Sequence, residues 1–212
     1  NVLGIYPGDP GEPGADCAAT VHALGPDIPH LAVGDMALGH ALAALASVAR
    51  TDARLLAPLP PTVAPEEACT VPTTWSTVHA AMLCSMPRAK SQLLFHAGAG
   101  GVGLAATEYA HWLGSTVYAS VGRPHKHYHL HALGLGQRTF ASRDGAAFAV
   151  GASERLRAAR IHGVLNSLSF DFLSVTFALL GECGCFSEIG KRGVLSPQRR
   201  AVVATSVQYG VL

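Results

Sequence analysis

Residues 92–103, Gln92-Leu93-Leu94-Phe95-His96-Ala97-Gly98-Ala99-Gly100-Gly101-Val102-Gly103, carry the architecture of the chain. Leu93-Leu94-Phe95 is a short, continuously apolar run, as expected of a strand covered on both faces. Immediately after it, Gly98-x-Gly100-x-x-Gly103 stands at the mouth of the segment Val102 to Leu113, where Val102, Ala105, Ala106, Tyr109, Ala110 and Leu113 recur at helical spacing. In a strand-to-helix turn of this kind the first glycine is expected to permit the tight turn and the second to let the backbone approach a pyrophosphate. The third lets helix and strand pack closely, and the helix N-terminus favours the anion. A glycine pattern alone is a weak signal; the flanking strand and helix give it meaning as a dinucleotide loop. Gly98, Gly100, Gly101, Val102 and Gly103 are therefore the first candidate cofactor contacts.

Five more apolar runs follow: Thr116-Val117-Tyr118-Ala119, Arg138-Thr139-Phe140, Gly163-Val164-Leu165, Cys185 to Ile189, and Gln208 to Leu212. Strands alternating with helical segments imply an α/β parallel sheet with right-handed crossovers over 71–212. The preceding stretch differs. It is dense in Gly and Pro, with apolar pieces at Ala18 to Leu24 and Leu31 to Val33 cut by Gly25-Pro26 and Gly34-Asp35, the texture of a small irregular β domain over 1–70. Ala41 to Arg50 is compatible with a helix but is left unassigned. Pro65-Glu66-Glu67-Ala68 reads as a helix start, and the boundary falls near residue 70.

The end of the second strand is where an Asp or Glu would grip the ribose 2′-hydroxyl of NAD. In its place stands Ala119-Ser120-Val121-Gly122-Arg123-Pro124-His125-Lys126, with a hydroxyl and two cations. A carboxylate would repel a 2′-phosphate, whereas Arg123 and Lys126 would attract it and Ser120 could hydrogen-bond to it, so the expected cofactor is NADPH. His125, His127, His129 and His131 alternate along the same segment. On a helix they form two separate i, i+4 pairs without a third ligand, so no metal is expected. The five cysteines are odd in number and irregularly spaced. They read as reduced thiols rather than a disulfide framework, and Cys183-Gly184-Cys185 has the period of a strand.

Composition sets limits on partners. In 212 residues, 49% are hydrophobic and 14% charged, and Lys plus Arg at 15 against Asp plus Glu at 14 give a net charge of +1. This supplies material for a packed core and no electrostatic footprint for nucleic acid or an anionic membrane. The longest apolar stretch, Met36 to Ala49, is interrupted by His40 and is shorter than the roughly 18 residues that suggest a membrane span. Without a signal-peptide succession, the chain reads as a cytoplasmic piece that has lost its beginning.

Several blocks, taken in order, resemble one family. They are Asn1 to Gly8, Gly14-Ala15-Asp16-Cys17, Val33-Gly34-Asp35, Ala53-Arg54-Leu55, Val71-Pro72-Thr73 with Thr77, His96 to Gly103, Ser142-Arg143-Asp144, Leu165-Asn166-Ser167-Leu168 and Glu188-Ile189-Gly190-Lys191. The chain resembles the enoyl reductase domain of polyketide synthases and animal-type fatty acid synthases, zinc-free members of the medium-chain dehydrogenase/reductase superfamily. The resemblance implies a partial GroES-like substrate domain followed by an NADPH-binding Rossmann domain. It implies hydride transfer from NADPH to the β-carbon of a trans-2-enoyl thioester on an acyl carrier protein, with a proton going to the α-carbon. Lys191 takes the place of the family's proposed proton donor, and Asn166 and Ser167 fall near the nicotinamide ribose. Gly190 and Thr77 are carried with them as cofactor contacts. Neighbouring synthase domains are the implied partners, and a homodimer is compatible with them.

The chain also departs from the family. The Asp that partners the Lys after the sixth strand is missing, as is the opening Asn-Phe-Arg-Asp segment, and Arg160-Ile161-His162-Gly163 stands for a longer approach to Val164. The expectation is a domain cut at both ends, able to bind cofactor and of doubtful turnover by itself. The alternatives are a non-catalytic scaffold derived from a reductase and a free-standing zinc-independent quinone or enone reductase.

Overall fold

The computed structural model describes residues 9, 11–85, 90–157, 159–168, 172–190, 194–196, 198–199 and 207–212. Contacts divide the chain into two units, Asn1–Ser76 and Thr77–Leu212. The first holds an antiparallel sheet of β1 (Asp16–Thr20), β2 (Met36–His40) and β3 (Leu56–Pro58), with β2 in the middle. Residues 41–50 form turns and bends rather than a helix. Helix α1 (Pro65–Ala68) begins on Pro65 with Glu66 and Glu67 in its first turn, as the sequence suggests. Helix α2 (Pro72–Ser85) starts in the first unit and runs into the second. Its first turn is capped from a distance: Asp16 Oδ1 accepts from the Thr73 amide at 2.9 Å and the Thr73 hydroxyl at 2.6 Å, and lies 3.4 Å from His40 Nδ1.

The second unit is an all-parallel six-stranded sheet. Its strands are β4 (Gln92–Phe95), β5 (Thr116–Val121), β6 (Thr139–Ala141), β7 (Ile161–Asn166), β8 (Leu180–Glu188) and β9 (Gln208–Val211), in the order β6-β5-β4-β7-β8-β9. All six apolar runs of the sequence became strands, with ends shifted by a few residues. The direction of strand order reverses at β4 and β7, so the crevice for a ligand opens at the carboxyl ends of these central strands. The connecting helices are α3 (Gly101–Trp112), α4 (Pro124–Ala132), α5 (Gly145–Leu156) and α6 (Leu173–Leu179). Asp144 caps α5, its Oδ1 accepting from the Ala146 and Ala147 amides at 2.9 and 3.0 Å.

The core joins Leu94, Phe140, Phe148, Val164, Phe177 and Phe186. Within it Phe177 stacks on Phe186 with centroids 4.5 Å apart. Strand β8 is irregular. Pairing jumps from Ile161–Leu180 to Gly163–Cys185, and Cys183 in the intervening bulge has φ +59°. Cys183 is therefore exposed, while Cys185 is buried on the regular part of the strand. Among the described residues no helix is long and apolar enough to cross a membrane.

Candidate cofactor site

The glycine loop joins β4 to α3, and Gly98, Gly100 and Gly103 are each explained by a close approach. A Cβ on Gly98 would lie 2.5 Å from the Ala119 Cβ on β5. One on Gly103 would lie 2.6 Å from both Cα and O of Gly98, so helix and loop touch backbone to backbone. Gly100, extended at φ −93° and ψ 169°, is the N-cap of α3, and a Cβ there would stand 3.3 Å from the Ala97 carbonyl. The tight turn itself is made one residue earlier than the glycine pattern suggests. Ala97, not Gly98, has the left-handed backbone, at φ +53°. Gly100 N donates to Ala97 O at 2.8 Å, and Gly98 N donates to Ser120 O at 2.9 Å.

Beside this loop a cleft of about 390 Å³ is lined by Ala97, Ala99, Gly100, Val121, Gly122, Arg123, Lys126, Ser142, Arg143 and Leu168. Three cations thus line it, and no lining residue is a carboxylate. Arg123 is the N-cap of α4 and Lys126 lies in its first turn, so both leave β5 toward the crevice. Arg143 arrives from the end of β6, which pairs with β5 (Val121 beside Ala141). It lies across Gly122, where a Cβ would come within 2.7 Å of its Nε and 3.0 Å of Ser142 Oγ. The neighbouring acid, Asp144, is turned away to cap α5. Arg123 and Lys126, singled out in the sequence, line this cleft, and so do Arg143 and Ser142, which were not singled out there as cofactor contacts. The sheet order of a doubly wound fold, which sets the loops after the second and third strands side by side, is the signal that finds them.

Ser120 does not join the cations. It is fully buried, and its Oγ lies 3.2 Å from the Ala97 amide and 3.0 Å from His96 Nδ1, behind the loop rather than in the cleft. His96 is buried between Phe148 and Phe172, and burial lowers its pKa from 6.5 to about 3.

At the carboxyl ends of β7 and β8 the polar groups also turn inward. Asn166 Nδ2 donates to Glu188 Oε2 at 2.7 Å and to the Leu168 carbonyl at 2.9 Å, and Asn166 Oδ1 accepts from the Leu168 amide at 3.3 Å. Glu188 Oε1 accepts from the Gly190 amide at 2.6 Å. Glu188 is fully buried; burial raises its pKa, while the bonds from Asn166 and Gly190 oppose the rise. Ser167 Oγ donates to the His96 carbonyl at 3.4 Å, across from β7 to β4. Asn166, Ser167 and Gly190 thus brace the strand ends next to the cleft. Thr77 is half-buried on α2 and does not line the cleft, and Lys191 lies outside the described residues. On α4, His127 Nδ1 lies 3.1 Å from Thr139 Oγ1, and among the described residues no three His, Cys, Asp or Glu side chains converge on a metal position.

Known proteins share the fold. No family model matches the chain. Erythronolide synthase EryA2 of Saccharopolyspora erythraea is 41% identical over 191 residues, covering 89% of this chain and 5% of the synthase. The crystal structure of CurK enoyl reductase superposes with a TM-score of 0.87 at 29% identity, covering 95% of this chain and 60% of that one. The chain is thus similar in sequence to a segment of polyketide synthases and in structure to enoyl reductase domains. These are members of the medium-chain dehydrogenase/reductase superfamily, with Rossmann and GroES-like parts. The component PikAII of the pikromycin polyketide synthase of Streptomyces venezuelae is 35% identical over 98% of this chain and 6% of its own length. A second solved relative, the mycobacterial protein Rv1454c complexed with NADPH, gives a TM-score of 0.82 at 27% identity, over 94% of this chain and 63% of that one. The chain therefore spans a small part of each synthase and under two thirds of these solved reductases.

Proposed function

We propose that the chain is part of an NADPH-dependent enoyl reductase domain acting within a cytoplasmic multidomain synthase, with 71–212 holding the cofactor and 1–70 contributing to the substrate side. The observation that carries this reading is the cleft itself, a glycine loop at a helix N-terminus with Arg123, Lys126 and Arg143 at its edge and no lining carboxylate. That donor set fits NADPH. The α3 N-terminus and the bare backbone at Gly100 would receive the pyrophosphate, and the three cations with Ser142 would hold the 2′-phosphate by charge-assisted bonds. When bound, the cofactor supplies a hydride, here to the β-carbon of an acyl-carrier-protein-bound trans-2-enoyl thioester. Lys191, which follows Gly190 just past β8, is the proposed donor of the α-proton. Glu188 Oε1 accepts from the amide of Gly190, the residue before Lys191 in sequence.

A second reading, reduction of a quinone or free enone, draws on the likeness to a mycobacterial quinone oxidoreductase, at 26% identity and a TM-score of 0.75. The test is to incubate the chain with NADPH and either a trans-2-enoyl thioester or a quinone, and to follow cofactor oxidation. Oxidation by the thioester supports the proposal, oxidation by the quinone alone favours the second reading, and tight binding without oxidation by either indicates a scaffold.

A further inference from the structure

The polar groups behind the glycine loop form a chain whose direction is fixed by its end. Thr176 Oγ1 donates its one proton to the Phe172 carbonyl, 2.6 Å away, so toward His96 Nε2 at 2.9 Å it can only accept, and Nε2 carries the hydrogen. The ring is buried against Phe148 and Phe172 and is neutral, which leaves Nδ1 bare to accept from the Ser120 hydroxyl at 3.0 Å. Ser120 Oγ in turn accepts from the Ala97 amide at 3.2 Å. Ala97 is the non-glycine residue with φ +53° that opens the loop, and it lines the cleft. A left-handed backbone at a residue with a side chain persists only where its surroundings hold it.

We propose that the run from Ala97 through Ser120 and His96 to Thr176 is a one-way hydrogen-bonded tether that keeps Ala97 in its left-handed conformation and so presets the glycine loop for the dinucleotide, making His96 a positioning residue. It rests on the cofactor reading above. The tether joins three elements that do not adjoin in sequence, β5, the end of β4 and α6. Thr176 itself does not line the cleft. A change there has a hydrogen-bonded route to the cofactor loop through His96 and Ser120.

The test uses Thr176→Val, which has nearly the same shape but no acceptor, and Thr176→Ser, which keeps one, each titrated with NADPH beside the unaltered chain. Thr176→Val is expected to weaken NADPH binding about fivefold to tenfold, the worth of one internal hydrogen bond, and Thr176→Ser to restore it. Ser120→Ala should weaken it to a similar degree, and combining it with Thr176→Val should add little, because both cut the same tether. In the unaltered chain, nitrogen-15 spectra should show His96 protonated on Nε2 and bare on Nδ1. Full affinity in a folded Thr176→Val variant, or a His96 proton on Nδ1, overturns the proposal. An unaltered chain that binds no NADPH would instead overturn the cofactor reading.

Discussion

The carboxyl ends of β5 and β8 lie on the same edge of one parallel sheet and handle charge in opposite ways. At β5 the chain leads out into Arg123 and Lys126, and β6 adds Arg143, three cations lining an open cleft with no lining carboxylate. At β8 the charge-bearing side chain is Glu188, fully buried and accepting one bond on each oxygen, from Asn166 and from the Gly190 amide. Cations arranged around a concavity without acids suit an anionic ligand; a buried carboxylate satisfied by its neighbours suits a fixed backbone. One end is built to receive charge, and the other uses buried hydrogen-bond acceptors to hold the strand ends in place.

The contrast can be broken most forcefully at the buried end. Glu188→Leu removes the acceptor from two donors, each costing about 1–3 kcal/mol when stranded, so unfolding in urea should show a loss of about 3 kcal/mol. The ratio of NADPH to NADH affinity should stay within twofold of its original value, because Glu188 lies away from the cations. At the open end, Arg143→Glu should do the reverse. NADPH affinity measured by titration should fall by about a hundredfold, the worth of a charge-assisted contact turned repulsive, with NADH affinity little altered and stability within about 0.5 kcal/mol of the parent.

Acid gives a graded third test. His96 has its folded pKa lowered to about 3 against an ordinary 6.5, so its contribution is complete above pH 6.5 and is lost as the pH falls toward 3, when the unfolded chain takes up a proton that the folded one cannot. The slope is at most about 1.4 kcal/mol per pH unit for this one group. Glu188, its pKa raised by burial, works in the opposite direction, its contribution being lost as the pH rises above 4.5. Removing Glu188 should therefore steepen the acid side of the stability curve measured by denaturation at successive pH values. An unchanged slope would mean that Glu188 does not titrate in that range.

How far the sequence could be read follows the same division. The six strands were legible because each is a bounded apolar run, and Arg123 and Lys126 were legible because they sit next to the glycine loop's own second strand. Arg143 was not, since only the pairing of β5 with β6 brings it to Gly122. The inward turn of Ser120 was hidden for another reason: β5 is covered on both faces, with Val117, Ala119, Ser120 and Val121 all buried, so no alternation marks which side chains look outward. The left-handed Ala97 has no compositional mark either. In the first unit, the cap that Asp16 places on Thr73 spans 57 residues and lies beyond any local pattern. Ala41 to Arg50 carries helical residues but settles into turns, its middle tied to the segment before β1 through Ala44 N to Gly14 O and Leu45 N to Pro13 O.

The claim on which the rest stands is that the open end of the sheet reads a 2′-phosphate. Calorimetric titration of the unaltered chain with NADPH and with NADH, at one fixed ionic strength, tests it directly. The account predicts that NADPH binds at least about a hundredfold more tightly than NADH, the discrimination that charge-assisted contacts from several cations supply. Equal affinity for the two, or tighter binding of NADH, would contradict it.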